Sequence, residues 1–197
     1  TGSAVALAHH DDTDGDELLD LLDVHSFNLS TSGNTSGNVG FSDKRIQDLD
    51  GASLLTNVRG LDLSGNQLTS IESGDFDGLK DLYLLNLSGN PLASIESGAF
   101  SGLPNLWNLR LEGTALTELN LANADLRSLG WVLFSDNDSL RSVSVKNAVM
   151  NQRSFRTLVY GGHFDVGIGF VPGFGIAHLE GINELDGSGI DFTDITD

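Results

Sequence analysis

Hydrophobic and polar residues alternate in two runs near the middle of the chain, and the second run repeats the first. Residues 58–79 and 82–103 both follow the pattern L-x-x-L-x-L-x-x-N-x-L, with valine at the first position of the earlier run. The landmarks recur 24 residues later: Leu61 and Leu85, Asn66 and Asn90, Ile71 and Ile95, Phe76 and Phe100. A fixed period of this length predicts a protein built from stacked repeats.

The alternation within each run predicts a short strand that is buried on one face. Leu61 and Leu63 point inward and the residue between them points outward, because successive side chains of a strand lie on opposite faces. Asn66 follows the strand, where a buried amide can bond the backbone groups that a turn leaves unpaired. Phe76 and Phe100 are expected to stack on the far side of the coil. One coil cannot bury its own leucines, so neighbouring coils must stack on it.

The pattern of residues 58–103 resembles the leucine-rich repeat family, in its 24-residue extracellular type with a phenylalanine on the return segment. The resemblance implies an α/β-type repeat solenoid. It would form a horseshoe arc with a parallel β-sheet on the concave face and irregular or short helical segments on the convex face. It also implies a secreted bacterial protein. Strands are expected near 60–63, 84–87, 108–111 and 142–145.

The period is less regular after residue 105, which leaves the register of 106–139 open. A second start at Leu116 carries Phe134 at the offset that Phe76 has in the first run. The segment is therefore interpreted as one 34-residue repeat or as a coil with a short duplicated strand. Its leucines also recur at every fifth residue, as in pentapeptide repeats, which we rank second.

Three regions follow from these patterns. We expect the repeat array to span 24–160, with a first strand at 24–29 followed by a flexible loop at 30–38, and with a last strand at 155–160. An acidic segment, 1–23, comes before the array. Residues 161–197 lose the period and are expected to form an irregular C-terminal cap or a truncated continuation.

Composition limits the classes of partner. The chain of 197 residues has 28 acidic and 10 basic residues, so its formal charge at pH 7 is −18. Such a charge argues against nucleic acids and anionic membranes as partners, because both bind basic faces. The chain contains no cysteine, which excludes disulfides and thiolate chemistry. No apolar run approaches the roughly 20 residues of a transmembrane helix.

The N-terminal segment suggests an extracellular location and a cation. Residues 1–8 are mostly small and apolar and are followed by a polar run, like the end of a secretory signal peptide. We therefore expect a secreted or cell-surface protein. The aspartates that follow, Asp12, Asp14 and Asp16 among them, could wrap Ca²⁺ with oxygen ligands. A solvated acidic tail is the alternative, and no other cofactor is expected.

The outward strand positions are the candidate binding site. The position after the first leucine of each run gives one set of residues, and the position between the paired leucines gives another. The predicted ligand-binding residues are Arg59, Asp62, Tyr83, Asn86, Trp107, Arg110 and Arg141. Equal positions of consecutive coils fall on adjacent strands, so Tyr83 and Trp107 should lie side by side. Aromatic residues and arginine are enriched at binding hot spots; alternatively, the aromatics only cap the sheet against a loop.

These observations favour a non-catalytic recognition module. The sequence has no P-loop, no G-x-S-x-G motif and no histidine pair at metal-ligand spacing, so we expect no enzyme. The family resemblance implies a protein or glycan ligand on the concave face. The alternative is a structural, self-associating component of a cell envelope or matrix, stabilised by calcium. The oligomeric state is left open.

Overall fold

The computed structural model describes residues 37–150, the backbone of four later strands and Ser188. The predicted strands at 24–29 and 155–160 and the aspartates of the proposed calcium site lie outside these residues. The strands, in chain order, are β1 Asn38–Gly40, β2 Gly60–Asp62, β3 Ser70–Ile71, β4 Leu84–Asn86, β5 Ser94–Ile95, β6 Asn108–Arg110, β7 Glu118–Asn120, β8 Trp131–Leu133, β9 Ser142–Ser144, β10 Val149–Met150, β11 Gly162–Asp165, β12 Gly169–Pro172, β13 Glu184–Asp186 and β14 Asp191–Phe192. Within the described part, the one helix is a 3-10 turn at Ala52–Leu54.

The first side of the molecule is a parallel five-stranded sheet in the order β1-β2-β4-β6-β8. Its central row of side chains runs across the coils in register: Val39, which is partly buried, and Leu61, Leu85, Leu109 and Val132, which are at most 1% exposed. Each strand is short because one coil contributes only three residues before the chain turns away. The parallel solenoid expected from the repeats is therefore confirmed.

A second set of parallel strands covers the return side of each coil. β3 pairs with β5, and β7 pairs with β9, which in turn pairs with β13. Their inward residues again follow the 24-residue period: Ile71, Ile95, Leu119 and Val143, all buried. β10 pairs with β14, and β11 pairs with β12 as an antiparallel hairpin. Each coil from β2 to β9 thus carries two short strands, one on each side.

The structure settles the register of 106–139 differently from the sequence interpretation. The run that starts at Leu116 holds β7, the return strand of the coil that began at Leu106. A new coil begins at Leu129, with Val132 and Phe134 in the places of the paired leucines. The segment is not one 34-residue repeat; the second short strand of the coil exists as β7, but it lies on the return side and not on the five-stranded sheet. The strand expected near 142–145 exists as β9, but it belongs to the return side.

The aromatic spine predicted for Phe76 and Phe100 is confirmed, and Phe134 does not extend it. Phe76 and Phe100 are buried and stacked, with ring centroids 6.0 Å apart and planes inclined by 11°. Phe134 is equally buried, but it directly follows β8 and takes a strand position of the five-stranded sheet. Its equal spacing from Leu116 is therefore a coincidence, because Leu116 lies on the return side of one coil and Phe134 on the five-stranded sheet of the next.

The predicted asparagine turns are confirmed. The side chain of Asn90 donates to the carbonyls of Leu63 and Leu87, at 2.9 Å each, and accepts the amide of Leu68 at 3.1 Å. Asn66 makes the corresponding bonds one coil earlier, and Asn137 makes them in the coil that begins at Leu129. Because each asparagine bonds two coils at once, it fixes their stacking as well as the turn.

The first described coil begins inside the segment that we interpreted as a loop. β1 starts at Asn38, and Val39 and Phe41 occupy the places of Leu61 and Leu63. Valine and phenylalanine bury apolar surface as leucine does, so the strand forms without the leucine signature. The loop expected at 30–38 therefore ends at residue 37 or before it.

Candidate functional site

One residue from each coil forms a row along the edge where the strands of the five-stranded sheet begin. Tyr83 and Trp107 each donate their amide to the carbonyl of the equivalent residue one coil earlier, at 2.7 and 2.9 Å. The row therefore runs Arg59, Tyr83, Trp107, Gly130. The backbone ladder fixes the spacing of these side chains at one coil, about 4.8 Å.

The two aromatic rings of this row are stacked face to face. The centroids of Tyr83 and Trp107 lie 5.1 Å apart and their planes differ by 4°. Tyr83 is 44% exposed and is the one large hydrophobic residue with an exposed side chain within residues 37–150. The predicted neighbourhood of Tyr83 and Trp107 is confirmed. The stack holds both side chains in place, so the exposed tyrosine is presented with little remaining freedom.

Glycines close this row at both ends. A Cβ atom at Gly130 would lie 2.6 Å from Cδ1 and Cε2 of Trp107, because the indole ring lies over that glycine. A Cβ at Gly37 would lie 3.1 Å from Cγ of Arg59. The sequence interpretation missed Gly130, because it placed no coil start at Leu129.

A second, polar row runs beside the aromatic one. Asp81, Asn105 and Ser128 each directly precede the first leucine of a coil. Nδ2 of Asn105 donates to the carbonyl of Lys80 at 2.8 Å, and Oγ of Ser128 donates to that of Pro104 at 2.7 Å. The two rows enclose an open groove of about 660 Å³ lined by Arg59, Asp81, Tyr83, Asn105, Trp107, Arg127, Ser128 and Leu129. This polar row was not predicted from the sequence.

Two arginines stand at the ends of the groove. Arg127 is held by Asp125 through two contacts, from Nη2 at 2.6 Å and Nε at 2.9 Å. The hydrogen bonds from Arg127 lower the pKa of Asp125 below its usual range, although partial burial opposes this shift. Arg59 is exposed, and its guanidinium pairs with no acidic group within the described residues. Arg59 is thus the cation of the groove with an unused binding capacity.

The other predicted residues lie on the strands themselves. Asp62, Asn86 and Arg110 are in register across β2, β4 and β6. Oδ1 of Asp62 accepts the amide and the hydroxyl of Ser64, and Oδ1 of Asn86 accepts the amide of Ser88. These two side chains therefore stabilise the turns that follow their strands.

The first and last residues of β6 carry polar atoms with unmet hydrogen-bonding capacity within the described residues. Oδ1 of Asn108 and Nε of Arg110 are buried and have no hydrogen-bond partner in the part of the chain described. A buried polar atom left in this way destabilises the fold. Trp131 of β8, which the sequence interpretation did not single out, lies nearby, with its ring centroid 6.3 Å from that of Trp107.

The structure does not bring Arg141 to this surface. It precedes β9 on the return side of the solenoid, where its Nη1 donates to the carbonyls of Asp138 and Leu140 at 2.7 and 2.9 Å. The prediction that Arg141 continues the row of Arg59, Tyr83 and Trp107 is wrong, because Gly130 holds that position. Arg141 was aligned with the row only through the mistaken register after residue 105.

Two further features concern metals and membranes. The predicted calcium ligands Asp12, Asp14 and Asp16 lie outside the described residues. Among the residues that the structure does describe, no three acidic or histidine side chains come together as a metal site. That same part of the chain contains no helix with the length and apolar character needed to cross a bilayer.

The family comparison agrees with this architecture. The family model described as "Leucine rich repeat" matches two overlapping stretches, residues 42–92 and 56–116. Residues 42–116 therefore match the leucine-rich repeat model, and coils with two short strands continue through β9. A comparison with curated protein sequences gave no match.

Solved structures of similar shape come from a human and a bacterial protein. Human 5T4, also called Wnt-activated inhibitory factor 1 or trophoblast glycoprotein, is 18% identical with a TM-score of 0.43, covering 90% of this chain and 83% of that one. An internalin, InlF of Listeria monocytogenes, is 19% identical with a TM-score of 0.39, covering 81% of this chain and 56% of that one. The fold assignment rests on the strand register and the family match rather than on these two scores.

Proposed function

We propose that the chain is a non-catalytic recognition module that binds a protein or glycan partner through the groove beside its five-stranded sheet. Repeat solenoids generally bind partners on surfaces built from equal positions of successive repeats. The observation that carries the proposal is the stacked pair Tyr83 and Trp107 next to Arg59, whose guanidinium has no acidic partner among the residues that the structure describes. Aromatic residues and arginine supply most of the energy at binding hot spots.

The groove also has a suitable size and a fixed shape. Its volume of about 660 Å³ lies within the range of ligand sites, roughly 300–1,000 Å³. Trp107 is held between Tyr83 and Gly130, so binding requires little ordering of side chains, which favours affinity. We further propose that the module acts outside the cell, on the basis of the small apolar residues 1–8 and the polar run that follows them.

The experiment compares one groove variant with one matched variant elsewhere. Wild-type protein, Tyr83→Ala and Arg141→Ala are applied to arrays of extracellular proteins and glycans. Both substitutions change exposed side chains, so thermal melts should stay close to wild type. We expect Tyr83→Ala to lose the wild-type partner, with affinity reduced about tenfold or more, and Arg141→Ala to retain it.

Two results would contradict the proposal. One is a Tyr83→Ala protein that binds the partner as wild type does. The other is an assembly that forms in calcium and dissociates with a chelator, measured by light scattering, which would support the structural alternative instead.

A further inference from the structure

We infer that the groove binds an acidic carbohydrate, with sugar hydroxyls along the row Asp81, Asn105 and Ser128 and a carboxylate at Arg59. This inference rests on the proposed function and specifies the ligand of the same site. It follows from the hydrogen-bonding capacity that the groove leaves unused.

The polar row presents acceptors. Asn105 already donates through Nδ2 to the carbonyl of Lys80, and Ser128 donates its hydroxyl proton to the carbonyl of Pro104. Asn105 keeps its amide oxygen as an acceptor and the second hydrogen of Nδ2 as a donor, Ser128 keeps the lone pairs of its hydroxyl, and the Asp81 carboxylate accepts only. The row is rich in acceptors, so a ligand with many hydrogen-bond donors suits it best.

The spacing of the acceptors separates a sugar chain from a peptide. Equal positions of adjacent coils lie about 4.8 Å apart. The backbone of an extended peptide alternates N–H donors and C=O acceptors. Groups of one kind on the same side recur only at every second residue, about 6.6–6.8 Å apart. Each ring of a sugar chain instead carries several hydroxyl groups, all of which can donate, so a sugar chain offers donors to every coil.

The apolar part of the groove is small for a protein partner. Tyr83 is the large hydrophobic residue exposed in residues 37–150, and the other groove residues are mostly polar. The centre of a protein interface is instead depleted of charge and rich in apolar contacts. The ring edges of the stacked pair carry positive potential, which suits oxygen atoms of a sugar.

The charge of the ligand follows from Arg59. Its guanidinium is exposed and has no acidic partner in the described residues, although acidic residues outnumber basic ones by 28 to 10 in the chain. A guanidinium binds a carboxylate through two parallel hydrogen bonds. At the opposite end Arg127 is engaged by Asp125, so the ligand carboxylate belongs at the Arg59 end.

The test uses three probes: a trimer of galacturonic acid, a neutral trimer of galactose and a pentaglutamate peptide. Calorimetry with the full chain measures their affinities for wild type, Arg59→Ala, Arg59→Lys and the control Arg141→Ala. We expect the uronate trimer to bind best. Arg59→Ala should weaken it about tenfold or more while leaving the neutral trimer unchanged. Arg59→Lys should restore part of the affinity, and Arg141→Ala should bind as wild type.

Three results would overturn the inference. The neutral trimer could bind as tightly as the uronate, the uronate could bind equally well to Arg59→Ala, or no sugar probe could bind. If the peptide alone binds and Tyr83→Ala abolishes its binding, the ligand class is wrong but the groove is still the recognition site. If no array partner or probe depends on Tyr83, the proposed function fails as well.

Discussion

The buried asparagines Asn66, Asn90 and Asn137 each join two coils through the side-chain amide. Asn90 satisfies two carbonyls and one amide that belong to different coils. Asn137 bonds the amide and the hydroxyl of Thr114, at 2.8 and 2.6 Å, where threonine replaces the asparagine of that coil. Asn137 therefore ties the coil that contains Thr114 to the next one, although Thr114 itself lacks an amide.

Removal of this side chain should lower the free energy of unfolding. Asn90→Ala leaves buried backbone groups without partners, and we expect a loss of about 1–3 kcal/mol. Asn105→Ala is the control, because that amide is exposed and its loss should stay within about 0.5 kcal/mol. Denaturant melts of both variants provide the measurement, and equal losses would contradict the role assigned to the coil asparagine.

Asp75 makes stability depend on pH. Burial raises its pKa from 3.8 to about 6, with further increases from nearby Asp48, Glu72 and Asp50, against a lowering by the backbone amide of Glu72. A carboxyl that holds its proton more tightly when folded stabilises the fold at low pH, and this contribution disappears as the pH rises through about 6.

The substitution Asp75→Asn should therefore become more favourable, relative to wild type, between pH 4 and pH 7. Asp125→Asn provides the opposite case, because Arg127 lowers the pKa of Asp125 in the fold. Its stabilising effect is present at neutral pH and lost in acid, so this variant should be most destabilised near pH 7. Melts across the pH range test both signs, and a shift of the same sign in the two variants would refute the assignment.

At the scale of the elements, two strands in each coil share one pattern. Leu116, Leu119 and Leu121 follow L-x-x-L-x-L but lie on the return side, whereas Val132 and Phe134 form the sheet position without leucine. The alternation of hydrophobic and polar residues shows only that a strand is half-buried. It does not reveal on which side of the coil the strand lies. A coil start such as Leu129 is followed eight residues later by an asparagine, here Asn137. This asparagine distinguishes the start of a coil from a strand on the return side.

The candidate site was predictable from the sequence only where the 24-residue period is regular. The neighbourhood of Tyr83 and Trp107 followed from a regular 24-residue period, because equal positions must fall on adjacent strands. The polar row and Gly130 did not follow, because they depend on how the chain enters each coil and on the register after residue 105. Arg141 was misplaced for the same reason.

The fit of Trp107 over Gly130 gives an element-scale prediction. Gly130→Ala would place a methyl group inside the indole ring, so Trp107 must move and its stack with Tyr83 must open. Overpacking of this kind costs about 1–3 kcal/mol. Near-ultraviolet circular dichroism should report the loss of the ordered rings. Gly40→Ala is the control, since a Cβ there meets no atom within 4 Å, and an unchanged spectrum for Gly130→Ala would contradict the packing.

At the scale of the whole molecule, the charge of −18 opposes the ligand that the groove favours. An acidic ligand is repelled at long range and attracted by Arg59 at short range. Salt screens the first effect more than the second, because the Debye length falls from about 30 Å at 0.01 M to about 10 Å at 0.1 M. The association rate of the uronate trimer should therefore rise over this range in stopped-flow measurements. A rate that falls with salt would mean that the local positive field dominates.

The most direct test of the central claim is to map where a partner binds. Backbone amide shifts in nuclear magnetic resonance spectra, recorded while the strongest array ligand is added, report contact residue by residue. If the partner binds in the groove, we expect the largest shifts at 81–83, 105–107 and 128–130, at the edge where the strands of the five-stranded sheet begin. Largest shifts at 118–120 and 142–144, on the return side, would contradict it.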